Sequence, residues 1–229
     1  MTANLRRLQP SPDLVDQVYR ALLDAISTGE LSPGERLTQE DIAHRLAVSR
    51  QPVLQALRLL KRDGMVLDAP GRGLVVSPLE PASIGQVYQV RGALDALAAR
   101  LAAARRYRVP AHLIEHGRKA ARGRDIGAMV EADLAFHTAI YAASGNPLIE
   151  QSAQLHWRHL RRIMGAVLEF TPQREALWDE HQAIADAIAA GDADDAAARI
   201  DDHSRHASRT LTERLEDVLH PHAQEEEQA

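Results

Sequence analysis

Four polar residues stand where helical spacing calls for apolar ones, and their types are those that hold a divalent cation. Along Ile126, Val130, Asp133, His137 and Ile140, that spacing puts a carboxylate and an imidazole one turn apart on an inward stripe. His181 falls on the stripe of Leu177, Ile184 and Ile188, and His203 on that of Ile200, Ala207 and Leu211. Three imidazoles and a carboxylate converging on an apolar interior are costly unless something pairs with them. One divalent ion would satisfy all four and, if octahedral, leave coordination positions open. Arg91, between Tyr88 and Leu94 on the apolar side of its helix, repeats the pattern, and a buried guanidinium needs a carboxylate or phosphate. Taken singly, an inward histidine more often ends in a core hydrogen bond, and Arg91 can pair with Asp95 at i,i+4. His156, on a second stripe with Ile149, Leu160 and Val167, is the best substitute ligand. His206 aligns with Arg199 and Asp202 on a polar face, and His112, His116, His220 and His222 read as exposed.

The elements that must position these groups are helices. From Pro81 onward Ala and Leu abound, no strand pattern occurs, and breakers recur at Pro110, Gly123, Gly145-Asn146-Pro147, Thr171-Pro172 and Gly191. They divide the region into about six helices: Ser83 to Tyr107, Pro110 to Arg122, Asp125 to Ser144, Pro147 to Phe170, Pro172 to Ala190 and Asp192 to His220. The predicted architecture of residues 79–220 is an all-α antiparallel bundle, followed by a short acidic tail, 221–229, expected to be disordered.

Residues 1–78 read differently. Ser11 and Pro12 open a helix that Gly29 ends, and Thr38 with Asp41 makes an approximate capping box for a short second helix. Ala47-Val48 turns the chain, and Ser49 caps a third helix that stops at Gly64. Met65 to Leu67 and Leu74 to Val76 are then β-prone runs joined by Ala69-Pro70-Gly71-Arg72-Gly73. This is a winged helix-turn-helix pattern. The helix starting at Ser49 is the one to enter a major groove, with Ser49, Arg50 and Gln51 at its leading end. Arg suits guanine and Gln suits adenine, each bidentate pair giving about 1–3 kcal/mol of discrimination, and either can instead bind phosphate. Arg72 at the wing tip reaches the backbone or minor groove.

The 229-residue chain carries 27 Lys and Arg against 32 Asp and Glu, and its first 77 residues are nearly balanced, with ten against nine. One such domain holds DNA weakly, so two copies on a palindrome are expected, which means a homodimer. With no cysteine, disulfides and thiolate metal sites are excluded. No apolar run approaches 18 residues and no signal-like start is present, so a cytoplasmic protein with no membrane partner is expected.

The stretch ELSPGERLTQEDIAHRLAVSRQPVLQALRLLKRDGMV, followed by PGRG, resembles the DNA-binding domain of GntR-family bacterial transcription regulators, over roughly residues 11 to 78. That resemblance implies DNA-contacting or domain-supporting roles for Arg36, Ser49, Arg50, Arg72 and Gly73. The chain departs from the pattern at Leu54-Gln55, where the family commonly has Arg-Glu, at Glu40, a position often held by Arg, and at Ala47, which replaces the usual Gly. A second resemblance covers nearly all of residues 83 to 215. Arg91-x-x-Leu94-Asp95, Asp133-Leu-Ala-Phe-His137, Ala143-Ser-Gly-Asn146, Glu180-His181-x-x-Ile184 and His203 are similar to the FCD effector domain of the FadR subfamily. It implies a divalent ion on Asp133, His137, His181 and His203, with a small organic acid beside it and Arg91 on the acid's carboxylate. Asp95 departs from the family's Glu. Zinc is the first choice of ion, and nickel, manganese and iron also accept this ligand set.

The expected function is therefore a ligand-responsive regulator, a repressor released by its effector. Two other classes remain open at this point: a bundle in which the metal is only structural and DNA binding is constitutive, and a mononuclear metalloenzyme. No separate acid, base or nucleophile cluster supports the latter.

Overall fold

The computed structural model describes residues 14–168 and 175–220. The expected Ser11-Pro12 cap, the helix boundary at Phe170 and Pro172, and the acidic tail lie outside them. Cα packing divides the chain into two compact units that part between Pro78 and Leu79.

In the first unit, α1 (Leu14–Thr28) is followed by β1 (Arg36–Leu37), α2 (Gln39–Arg45), α3 (Arg50–Arg62), β2 (Val66–Asp68) and β3 (Leu74–Val76). The strands form one antiparallel sheet in the order β1-β3-β2, with Arg36 opposite Val75 and Val66 opposite Val76. Leu22, Ile42, Val53, Leu57, Leu60 and Val76 are all buried in its core. The sequence pattern did not disclose β1, because two residues carry no alternation and are strand only through pairing with β3. Thr38 caps α2 as expected: its Oγ1 accepts from the Asp41 amide at 3.2 Å and donates to the Asp41 carboxylate at 2.6 Å. Ser49 occupies the N-cap of α3 with extended backbone, but its hydroxyl makes no capping hydrogen bond. Ala47, in the turn before it, adopts a left-handed φ of 51°.

The second unit contains α4 (Pro81–Ala104), α5 (Ala111–Arg122), α6 (Ile126–Ser144), α7 (Pro147–Val167), α8 (Ala176–Ala190) and α9 (Ala193–Leu219). Boundaries follow local chemistry. Asp125 and Asp192 accept from the amides of Ala128 and Asp195, both at 3.0 Å, and Asn146 accepts from that of Leu148 at 3.1 Å, with Pro147 at the first helical position. α4 starts two residues before the expected Ser83 because Pro81 takes its first turn, and it ends at Ala104 because Arg106 turns left-handed at φ 48°. α4 and α6 run side by side in the same direction, as the pairs Arg91–His137 and Asp95–Tyr141 require. α9 returns antiparallel along α4, with Asp194 at Arg100 and Ser204 at Gly92. α5 and α8 close the other side. Gly117 of α5 permits this, since a Cβ there would lie 2.0 Å from the Trp178 ring of α8.

Candidate metal centre and nucleic-acid interface

α6, α8 and α9 bring Asp133, His137, His181 and His203 together so that one ligand atom from each lies within 4.8 Å of the others. All four are buried, both His137 and His181 completely. His156, offered as a substitute ligand, is half-buried on α7 and is not in this cluster. Among the described residues of the bundle, the polar atoms left buried without a hydrogen-bond partner include Oδ1 of Asp133, Nδ1 of His137 and both ring nitrogens of His181. His181 Nε2 and Asp133 Oδ1 approach to 3.3 Å without the alignment of a hydrogen bond. Burial, with the nearby positive charges of Arg91 and other imidazoles, holds His137 and His181 well below the usual imidazole pKa. Their lone pairs are therefore available near neutrality. Burial also raises Asp133 above the usual carboxylate range, against the pull of Arg91. Buried imidazoles and a carboxylate that face one another, with Asp133 Oδ1 and both ring nitrogens of His181 unpaired among the described residues, fit a divalent cation.

His203 is held differently. Its Nδ1 is 2.8 Å from Glu180 Oε2, and His206 Nδ1 is 2.6 Å from Glu180 Oε1. Burial alone would raise Glu180, but the hydrogen bonds from the two histidines bring it below its usual value. The ionised carboxylate fixes the proton on His203 Nδ1 and leaves the lone pair on Nε2, the usual arrangement behind a histidine able to ligate a metal. The spacing argument left His206 on a polar face and gave Glu180 no role, because neither partner of this pair is visible along one helix.

Arg91 is 1% exposed, with its guanidinium 4.0 Å from the centroid of Trp157 and 5.3 Å from that of Tyr88. Its Nε lies 3.1 Å from Asp95 Oδ2, so Asp95 serves as the local partner despite being shorter than the family's Glu. Tyr141 completes Asp95 by donating its hydroxyl to Oδ1, and Trp157 Nε1 donates to that hydroxyl oxygen at 3.2 Å. Burial opposes the guanidinium charge, but Asp95 and the surrounding acidic groups hold it firmly protonated. One of its two terminal nitrogens, Nη2, rests 2.9 Å from His137 Nε2. Arg91 thus touches one of the four candidate ligands directly. Asp133 and His203 also line a cavity of about 230 Å³ between α7, α8 and α9, together with Tyr88 of α4.

In the first unit, Arg36, Arg50, Arg72 and Gly73 line one surface depression together with Glu40. Arg36 donates to the Arg72 carbonyl, and Gly73, at φ 97°, has the Arg36 side chain against it. Arg36 therefore supports the wing while remaining exposed. Arg50 Nη2 is 2.6 Å from Glu40 Oε1, with both side chains mostly exposed. Ser49 and Gln51 are exposed at the same helix start but outside the depression. Leu54, where an Arg is common, is half-buried and offers DNA no charge.

Comparison with known proteins agrees with this division. A family model described as "FCD domain" matches residues 86–206, and one described as "Bacterial regulatory proteins, gntR family" matches residues 14–76. An "Uncharacterized HTH-type transcriptional regulator in unstable DNA locus" of Streptomyces ambofaciens is 31% identical over 180 residues, covering 76% of this chain and 75% of that protein. The "Putative L-lactate dehydrogenase operon regulatory protein" of Escherichia coli (strain K12) is 32% identical over 219 residues, covering 83% and 81%. Of solved structures, E. coli McbR/YncC superposes with a TM-score of 0.76 over 90% of this chain and 100% of its own, at 21% identity, a likeness of fold alone.

Proposed function

The chain belongs to the gntR family of bacterial regulatory proteins and carries an FCD domain, and from that premise we propose that it is a homodimeric, metal-dependent repressor released from palindromic operator DNA by a small organic acid. It is a transcription regulator and not an enzyme. No helix among the described residues is long and apolar enough to cross a membrane, and a regulator bound to operator DNA would work in the cytoplasm.

The observation that carries the metal and effector reading is the buried cluster: four groups within 4.8 Å, with Asp133 Oδ1 and both ring nitrogens of His181 left without a partner. Asp133, His137, His181 and His203 would hold the ion, zinc by preference, which supplies a Lewis-acidic centre for a carboxylate oxygen. His137 has a single lone pair, on the nitrogen that now accepts from Arg91 Nη2. With that lone pair committed to an ion, Nη2 would have no acceptor on His137 and would be available to a carboxylate. Asp95 meanwhile keeps the guanidinium in place through Nε. The acid's affinity then depends on the metal, and linkage makes the reverse equally true. Arg91 lies on α4, which follows the wing strand β3 after only four residues, Ser77 to Glu80, so a shift of α4 has a short covalent path to the DNA-binding unit.

Ser49, Arg50 and Gln51 would read or clamp the major groove, with Arg72 and Gly73 on the wing and Arg36 beneath it. Coupling of about 1–3 kcal/mol between the sites changes DNA affinity about 5–150-fold, enough for a switch. The test is fluorescence anisotropy of an operator duplex against protein loaded with zinc or stripped by chelator, with and without a panel of organic acids. Release by an acid only in the loaded protein is expected. DNA binding indifferent to every acid, with chelation still lowering the melting temperature, would make the ion purely structural.

A further inference from the structure

We propose that the effector is a short monocarboxylate with an apolar body, and neither a polyhydroxylated sugar acid nor a dicarboxylate. The inference rests on the carboxylate reading above and concerns what lies beyond the carboxylate. The cavity that opens onto Asp133 and His203 holds about 230 Å³, room for some seven to eight waters at roughly 30 Å³ each, hence an acid on the order of ten heavy atoms or fewer.

Its chemistry changes along its length. The inner end carries Tyr88, Asp133 and His203, all buried. The middle is closed by Met164 and Leu168, and by Leu211 from α9, also buried, with Leu177 and Ala207 beside them. Among the described residues that line it, none in that stretch carries a side-chain donor or acceptor. Each hydroxyl of a sugar acid placed there would lose water and gain no partner, which is the arrangement that polar ligands tolerate least. The outer end is polar: Glu213 and His206 are exposed, and Thr210 and Arg214 are half-buried. Arg214 is the only fixed cation among them and already pairs with Asp217 at 3.1 Å. Glu213, also at this end, adds negative charge, so a second carboxylate on the ligand meets no unpaired guanidinium among the described lining residues.

The test uses the zinc-loaded full chain and acids that share one head group, so that only the body varies: lactate, 2-hydroxybutanoate, 2-hydroxypentanoate, malate and gluconate. Affinity is read by calorimetry and by tryptophan emission, since both tryptophans flank the cluster, Trp157 at 5.3 Å from His137 and Trp178 at 4.5 Å from His181 between ring centroids. Affinity is expected to rise about fourfold with each added methylene, and malate and gluconate to bind at least about tenfold more weakly than 2-hydroxypentanoate. Ala207→Leu, which fills the apolar middle, is expected to cancel the gain per methylene while leaving metal stoichiometry unchanged. Tighter binding of gluconate or malate than of 2-hydroxypentanoate overturns this inference and leaves the carboxylate reading standing. Binding of none of the five acids to protein that retains its zinc overturns both.

Discussion

Asp133→Asn distinguishes a metal ligand from an ordinary buried ion-pair partner by the sign of its effect. The carboxylate is buried, burial holds its pKa above the usual range, and Oδ1 meets no hydrogen-bond donor. Asparagine keeps the shape and removes the charge. In chelator the variant sheds a desolvation cost of about 1 kcal/mol, near the low end of the scale for a buried group without a partner, because attraction to Arg91 offsets part of it. At a free metal concentration one hundred times the dissociation constant, the wild type gains about 2.7 kcal/mol that the variant forgoes. For a unit of about 140 residues, each kcal/mol moves the melting temperature by about 3–4 °C. The chelated variant should therefore melt about 3 °C above the chelated wild type, and the loaded variant about 6 °C below the loaded wild type. Both tryptophans lie in α7 and α8, so thermal melts followed by tryptophan fluorescence report the bundle unit alone. A variant that melts below wild type in chelator and still gains the whole metal shift refutes the assignment. Asp133 would then serve only as the neighbour of His181, 3.3 Å away.

Arg50→Ala should lose about 1–3 kcal/mol of operator specificity in a competition gel shift and leave bundle melting and metal content unchanged; retained specificity removes α3 as the reading helix. Glu40→Gln should raise affinity for any duplex several-fold at low salt and have little effect at high salt, because it releases Arg50 from its carboxylate partner; equal affinity at both salts shows that Arg50 leaves Glu40 at no cost. Ala47→Gly should stabilise the winged unit by up to about 1 kcal/mol by relieving a left-handed alanine, measured by amide exchange in α2 and α3, and slower exchange is the outcome required. Gly117→Ala should cost about 1–3 kcal/mol, shift Trp178 emission and weaken metal binding, since the new Cβ would overlap the ring that backs His181; unchanged emission would mean that α5 moves instead.

What the sequence discloses about this site is set by the geometry of a single helix. Asp133 and His137 lie one turn apart on α6, so their shared direction follows from helical periodicity once the stripe is recognised. His181 and His203 are each placed inward by their own stripe, and it is the cost of burying four such groups unpaired, together with the resemblance, that joins the three helices into one site. Groups that act across helices leave no such trace. Glu180 joins α8 to His203 and His206 on α9, Tyr141 completes Asp95 from a residue 46 positions away, and Trp157 stacks on Arg91 from α7. In sequence these residues are an exposed-looking acid and two unremarkable aromatics. The helix count was legible for the opposite reason: Gly145-Asn146-Pro147 and Gly191-Asp192 carry left-handed glycines and capping side chains whose effect is local. The same contrast bears on function. Asp133, His137, His181 and His203 form a type of site that many regulators could share, whereas the apolar stretch of Met164, Leu168 and Leu211 comes from two helices and is assembled only by folding. On the proposed reading, ligand identity resides in the part of the cavity that motifs do not encode, and substitutions there should change which acid is sensed while leaving the four candidate metal ligands intact.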